Sequence, residues 1–276
     1  MPRSKPTALY FSINISDQAP SMSYYEYNVS SNGFEVIAEY SDHTVNKLII
    51  PLIKSLNKLE PKGKRTIIFL AAPPGAGKTT LSKVIEQLSE ELSNQKKIIA
   101  AGLDGFHFKS DYLKNNHVLF EGERILLNSI KGSPLSFNIG HFIKKLEEST
   151  TNEECLWPTY DRNIHDIIED NLKIDSTILL VEGNWLLLND EAWSIARKYC
   201  DLSIFIDACP NLLKTRLIDR KCRGGLSRPE AEQFYEKSDI KNVLNVLNNS
   251  VRPDICLKFK DDGRELICKS GCDILN

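Results

Sequence analysis

With 276 residues, 35 Lys+Arg against 37 Asp+Glu and a formal net charge of -2, the chain is long enough to bury a large core and carries no bulk electrostatic footprint for nucleic acid. No apolar run reaches the roughly 18 residues of a membrane helix, and the start, MPRSKPTALYFSINIS, lacks the apolar stretch of a secretory signal. Seven scattered cysteines read as reduced thiols of a cytoplasmic protein; Cys268 and Cys272 lie close, but no further Cys or His nearby completes a zinc set.

Residues 1–28, rich in Ser, Tyr and Pro without a period, read as a tail or arm. Residues 29–61 read as a small strand-helix extension: a strand over 33–38, then a helix capped by Asp42 with Val45, Leu48, Ile49, Leu52, Ile53 and Leu56 at helical spacing. Pro51 must kink that helix or mark its start, because an interior proline costs about 3 kcal/mol. Residues 60–64, EPKGK, form a turn. From 62 to 276 strands alternate with helical stretches. The apolar runs 65–71, 98–103, 178–181, 202–206 and 255–259 have the look of strands buried on both faces. Leu81, Val84, Ile85, Leu88 and Leu92 line one helix face between the first two. The fold class is therefore α/β, a parallel sheet with helices on both sides.

The strongest motif is Ala71-Ala72-Pro73-Pro74-Gly75-Ala76-Gly77-Lys78-Thr79-Thr80. It matches the phosphate-binding pattern G-x-x-x-x-G-K-[ST], with Ala72 in place of the first glycine, between a buried strand and an amphipathic helix. Gly75 and Gly77 let backbone N–H groups turn inward around phosphate oxygens, and the helix presents its positive end. Pro74, Gly75, Ala76, Gly77, Lys78, Thr79 and Thr80 are thus the expected ATP-binding loop. Lys78 would reach the β- and γ-phosphates and the Thr79 hydroxyl would meet Mg²⁺. The P-loop NTPase fold follows.

The class of P-loop protein is narrowed by what surrounds the loop. A guanine-reading Asn-Lys-x-Asp is missing, since Asn46-Lys47 and Asn57-Lys58 precede the loop and lack the Asp. The strand at 178–181 ends in a single carboxylate, Glu182, which would orient a metal-bound water or cap a turn. Asp104 follows the strand at 98–103, where an acceptor hydroxyl would be met, and one carboxylate there can position the hydroxyl and take its proton. Taken alone, Asp104 is equally a turn or helix cap. The run 157–166, with Tyr160, Arg162 and His165, suits a polar ring or polyol, or else a solvated turn. Arg216, Arg220 and Arg223 share one helix face before Gly224-Gly225, as in a lid that closes over a triphosphate, or as in a merely solvated basic face.

In this order, the P-loop, Asp104-Gly105-Phe106, Pro158-Thr159-Tyr160-Asp161 with His165, and the arginine series resemble the uridine kinase, phosphoribulokinase and bacterial-type pantothenate kinase superfamily. Within it the chain is similar to the nucleoside/nucleotide kinase-like branch, often labelled fructose-transport-associated kinases. The shared features there are the Ala-Ala-Pro-Pro-Gly loop, Asp104-Gly105-Phe106-His107, Lys131-Gly132, Trp157-Pro158, Glu182-Gly183-Asn184 and 223–227; the likeness spans roughly residues 33 to 260. The resemblance implies ATP with Mg²⁺, Asp104 as base with Lys78 in the catalytic pair, and Thr79 and Glu182 at the metal. It carries substrate contacts onto Tyr160, Arg162 and His165, and phosphate contacts onto Arg216 and Arg220. Relatives usually end the Lys-Gly-x-Pro motif in Phe-Asp, whereas this chain has Phe137-Asn138, where a hydroxyl-gripping carboxylate is expected. The implied activity is phosphoryl transfer from ATP to a hydroxyl of a small molecule, nucleoside-like, pantothenate-like or a sugar. The rival is a P-loop switch that binds ATP and transfers nothing. Neither nucleic acid nor membrane is an expected partner, and a homodimer is left open.

Overall fold

The computed structural model describes residues 10–11, 23–31, 34–260 and 263–275. The chain opens with a hairpin of β1 (Tyr24–Ser31) and β2 (Phe34–Ser41), with the two residues Tyr10–Phe11 paired to the start of β1. The expected arm therefore already contains strand from Tyr24 onward. Its alternate side chains Tyr27 and Val29 are buried, and it is this period of two, masked by the polar residues between, that makes it a strand. The rest of the arm, 1–9 and 12–22, lies outside the described residues.

The helix that follows starts at Asp42–Thr44, passes through a π-helical turn at Val45–Ile49 and continues as Ile50–Lys58. Ser41, not Asp42, is the cap: its hydroxyl accepts from the Thr44 N–H at 3.1 Å. Pro51 neither starts nor breaks the helix, because the preceding turn is already widened, with the Ile50 N–H bonding to Val45 O.

The central sheet combines β3 (Thr66–Ala71), β4 (Ile98–Gly102), β7 (Ile178–Gly183), β8 (Leu202–Asp207), β9 (Ile255–Phe259) and β10 (Leu266–Ser270). A second hairpin, β5 (Cys155–Asp161) with β6 (Asp166–Ile174), stands beside it. Sheet order is β10-β9-β8-β3-β7-β4, parallel except for the edge strand β10. Along β3 the side chains alternate between two cores, Ile68 and Leu70 on one face, Ile67, Phe69 and Ala71 on the other. The first core also contains Tyr27, Val29, Ala38 and Tyr40, so the N-terminal hairpin shares its apolar interior with the sheet. It also takes up the inner face of α1 (Lys78–Glu91), through Leu81, Val84 and Ile85, and of α2 (Pro210–Arg223), through Leu213 and Leu217. No helix among the described residues is long and apolar enough to cross a membrane.

One further point corrects the sequence reading and another fills a gap in it. Cys268 and Cys272 are joined as a disulfide rather than standing as thiols: Gly271, at φ +75°, turns the chain back after β10 and brings the two Cα atoms to 5.9 Å. Asn138, where relatives usually carry Asp, has a structural task. Its side chain accepts from the His141 N–H at 3.1 Å as the cap of the helix Ile139–Thr151, a position where Asn and Asp serve alike.

Candidate active site

Three adjacent strands deliver the chemistry. β3, β7 and β4 lie side by side and end, at their carboxyl edges, in the phosphate loop, Glu182 and Asp104 respectively. Glu182 stands opposite Leu70 on one side and Gly102 on the other. Carboxyl edges of parallel strands are where open α/β sheets bind ligands.

The phosphate loop is built by conformation. Gly75 and Gly77 sit at φ +82° and +86°, in the left-handed region, and a Cβ on Gly75 would come within 3.0 Å of Leu217 Cγ. Ala72 needs no such φ, so replacing the first glycine is harmless. Gly77 caps α1 without a side-chain bond, which leaves the N–H groups of the first helical turn without intrahelical acceptors. Those donors and Lys78 face the same space. Pro74 and Ala76 are buried behind the turn and do not face it.

Thr79 Oγ1 donates to Glu182 Oε1 at 2.8 Å, and Lys78 Nζ lies 3.9 Å from Glu182 Oε2. Burial pushes the Glu182 carboxyl above its ordinary value; Lys78 and the Thr79 hydroxyl oppose that rise, and the Asp104 charge adds to it. Among the described residues no cluster of three or more His, Cys, Asp or Glu could hold a metal unaided. A hydroxyl beside one carboxylate still fits Mg²⁺, which takes one or two protein oxygens and completes its shell with phosphate and water.

One cavity of about 1110 Å³ brings the expected residues together: Gly75, Gly77, Lys78, Thr79, Thr80, Asp104, Tyr160, Arg162, His165, Arg216 and Arg220 all line it. Glu182 stands just behind its wall, reached through Thr79 and Lys78. Asp104 is carried by a 3₁₀ turn, Leu103–Phe106, locked against the second hairpin. A Cβ on Gly105 would fall 2.1 Å from Pro158 O, so only glycine lets the Asp104 turn and the Tyr160 strand approach this closely.

Arg162 and Arg216, expected at the site, line this cavity, and so do Lys131 and His107, which the sequence offered only as parts of motifs without a role. Lys131 Nζ donates to the Tyr160 hydroxyl at 3.0 Å and to His165 O at 3.1 Å, and has no carboxylate partner among the described residues. His107 is buried with Nδ1 2.9 Å from Asp104 O; burial lowers its pKa, and since a carbonyl only accepts, Nδ1 carries the proton. Arg162 Nε is buried without a hydrogen-bond partner. Arg216 bonds Gly263 O at 3.2 Å and lies 5.1 Å over the Phe259 ring, with burial lowering its pKa. The edge of β2, from Glu35 to Tyr40, lines the same cavity.

A strand-borne phosphate loop with Lys78 and Thr79, acids at the ends of β7 and β4 and a basic helix opposite suit phosphoryl transfer, and the chain around them matches one family. The family described as Phosphoribulokinase / Uridine kinase covers residues 67–232. The chain belongs to it. It is a P-loop kinase of the phosphoribulokinase/uridine kinase family, similar to the Escherichia coli protein YggC, itself uncharacterized, at 36% identity over 84% of this chain and 95% of that one. A pantothenate kinase of Latilactobacillus sakei is 29% identical over 61% of this chain and 53% of its own length. Among solved structures, a Silicibacter protein that carries the name of a fructose transport system kinase superposes with a TM-score of 0.65 at 22% identity, over 78% of this chain and 98% of that one, a likeness of fold. As a member of this family the chain is a kinase using ATP, a reaction that normally takes Mg²⁺.

Proposed function

We propose that this kinase moves the γ-phosphoryl group of ATP to a hydroxyl of a small acceptor that itself carries negative charge, with Asp104 as the base. The observation that supports this most is the composition of one cavity. Asp104 lines it together with the phosphate loop on one side and Tyr160, Arg162 and His165 on the other. An acceptor hydroxyl between them would lose its proton to Asp104 as its oxygen attacks the γ-phosphorus and the bond to the β–γ bridging oxygen breaks, releasing ADP. Lys78, the first-turn N–H groups of α1 and Arg220 would meet the charge that builds on the transferring group. Thr79 and Glu182 would hold Mg²⁺, which supplies neutralisation of phosphate charge when bound. Lys131 and Arg162 line the cavity with no carboxylate within ion-pair distance among the described residues, and Arg162 Nε has no partner, which favours an acid or phosphate ester over a neutral nucleoside. The ATP supply fits the cytoplasm.

The test is acceptor-dependent ADP release with matched pairs: nucleoside and nucleoside monophosphate, pantetheine and pantothenate, glycerol and glycerate, sugar and sugar phosphate. Asp104→Asn keeps the size of the side chain and removes its proton affinity, so transfer should fall by about 10²- to 10⁴-fold with little change in ATP affinity. Slow ATP hydrolysis indifferent to every acceptor would favour a nucleotide switch instead. Faster turnover of the neutral member in each pair would refute the anionic acceptor while leaving the kinase intact.

A further inference from the structure

Sheet order gives the cavity two ends. β4, which delivers Asp104, and β9, which ends in Phe259, lie on opposite sides of β3 and its phosphate loop. If the γ-phosphoryl faces Asp104, a nucleotide lying across the loop sends its base toward β9. What stands there is β2, a segment outside the 67–232 family match. Tyr40 stacks on Phe259 with ring centroids 6.5 Å apart, Arg264 Nε pairs with Glu39 Oε2 at 2.9 Å, and Arg216 lies over Phe259.

Among the described residues β2 is the last strand of its sheet, so one of its edges has no partner strand there. Which groups face that edge follows from the register. The Asp42 N–H donates to Ser23 O at 2.9 Å, which makes those two residues a hydrogen-bonded antiparallel pair. Alternation along the pairing Ser41↔Tyr24, Glu39↔Glu26, Ile37↔Asn28 then turns the N–H and C=O groups of Ser41, Glu39 and Ile37 away from β1. The Ser41 N–H confirms the direction by reaching Arg264 O at 3.4 Å. Among the described residues nothing bonds the outward backbone groups of Ile37 and Glu39, although both residues line the cavity, and the Ile37 side chain is 62% exposed.

Resting on the ATP-kinase reading above, we infer that the free edge of β2 reads the adenine ring. The Ile37 carbonyl accepts from the 6-amino group and the Glu39 N–H donates to ring N1, as the next strand of the sheet would. Carbonyl followed by N–H complements adenine. Guanine offers an acceptor and then a donor at the same two positions, which leaves two like groups facing each other on the edge, so the N-terminal hairpin is the element that selects ATP over GTP.

Direct binding measurements on the full chain test this with four probes: ATP, GTP, the triphosphate of purine riboside, which lacks the 6-amino group, and inorganic tripolyphosphate. Wild type should bind ATP about tenfold or more tightly than GTP or the purine analogue. Glu39→Pro removes one outward N–H while leaving the bonds to β1 in place, as edge strands tolerate. That variant should lose about tenfold for ATP and nothing for tripolyphosphate. Equal wild-type affinity for ATP and the purine analogue would overturn the inference, whether or not the proline variant folds. Tripolyphosphate that fails to bind wild type would instead strike at the phosphate loop and the kinase reading, a different failure from loss of base selectivity alone.

Discussion

The Thr79 hydroxyl donates to Glu182 Oε1 at 2.8 Å, joining the first turn of α1 to the end of the neighbouring strand β7. That bond holds a carboxylate in a buried place which a carboxylate would otherwise leave by taking a proton. Two strands and a helix are thereby fixed where phosphate and metal would meet.

Because burial raises the folded-state pKa of Glu182 above its unfolded value, the fold prefers the neutral acid. Its stabilising share is present below the unfolded pKa and is lost as pH rises through the folded one. Glu182→Gln should therefore melt at a higher temperature than wild type at pH 8, with the gap closing toward pH 4, while turnover falls. Melting curves across that range check it, and a gap that ignores pH would count against the account given for Glu182.

Lys78→Ala should abolish transfer and weaken ATP binding, because the ammonium meets charge that builds between the β- and γ-phosphates. Near-normal turnover in this variant would remove the phosphate loop from the reaction.

Arg220 stands on the cavity wall. Arg220→Ala should lower kcat more than it raises the Kd for ATP, if the guanidinium acts on transferring charge. An effect on ATP affinity alone would make it a binding residue.

Arg65, 1% exposed, spends its guanidinium on backbone carbonyls, with bonds to Ser176, Ser149, Asn152, Glu153 and Ile174. Arg65→Met removes those donors and leaves buried acceptors unpaired. A loss of about 3–5 kcal/mol in unfolding free energy is expected from denaturant titration. A loss under about 1 kcal/mol would mean that water replaces the guanidinium freely.

The five parallel strands were legible because strands covered on both faces are continuous apolar runs, and the loop because its chemistry is local in sequence. β10 and β1 were not, for the opposite reason: LICKS and YYEYNVSS cover one face only, and their polar residues hide the alternation. Lys131 stood in a motif without a role because its partner is supplied by folding; it meets Tyr160 across 29 residues of chain. Asn138 drew attention as a departure from relatives, yet its amide holds a helix end, a task that the sequence motif alone cannot tell from ligand contact.

The N-terminal hairpin is fastened to the other end of the chain. Ser41 N–H reaches Arg264 O, and the Leu266 N–H donates to Thr44 Oγ1 at 2.9 Å across 222 residues. A ribosome releases Tyr24 long before Leu266. During synthesis the apolar face of Tyr27 and Val29 can pack on α1 as soon as that helix is made, whereas the ties to Arg264 and Leu266 form last. Nascent chains halted before residue 260 should thus carry a formed phosphate loop and a hairpin seated on α1 but not yet fastened at its Ser41 end.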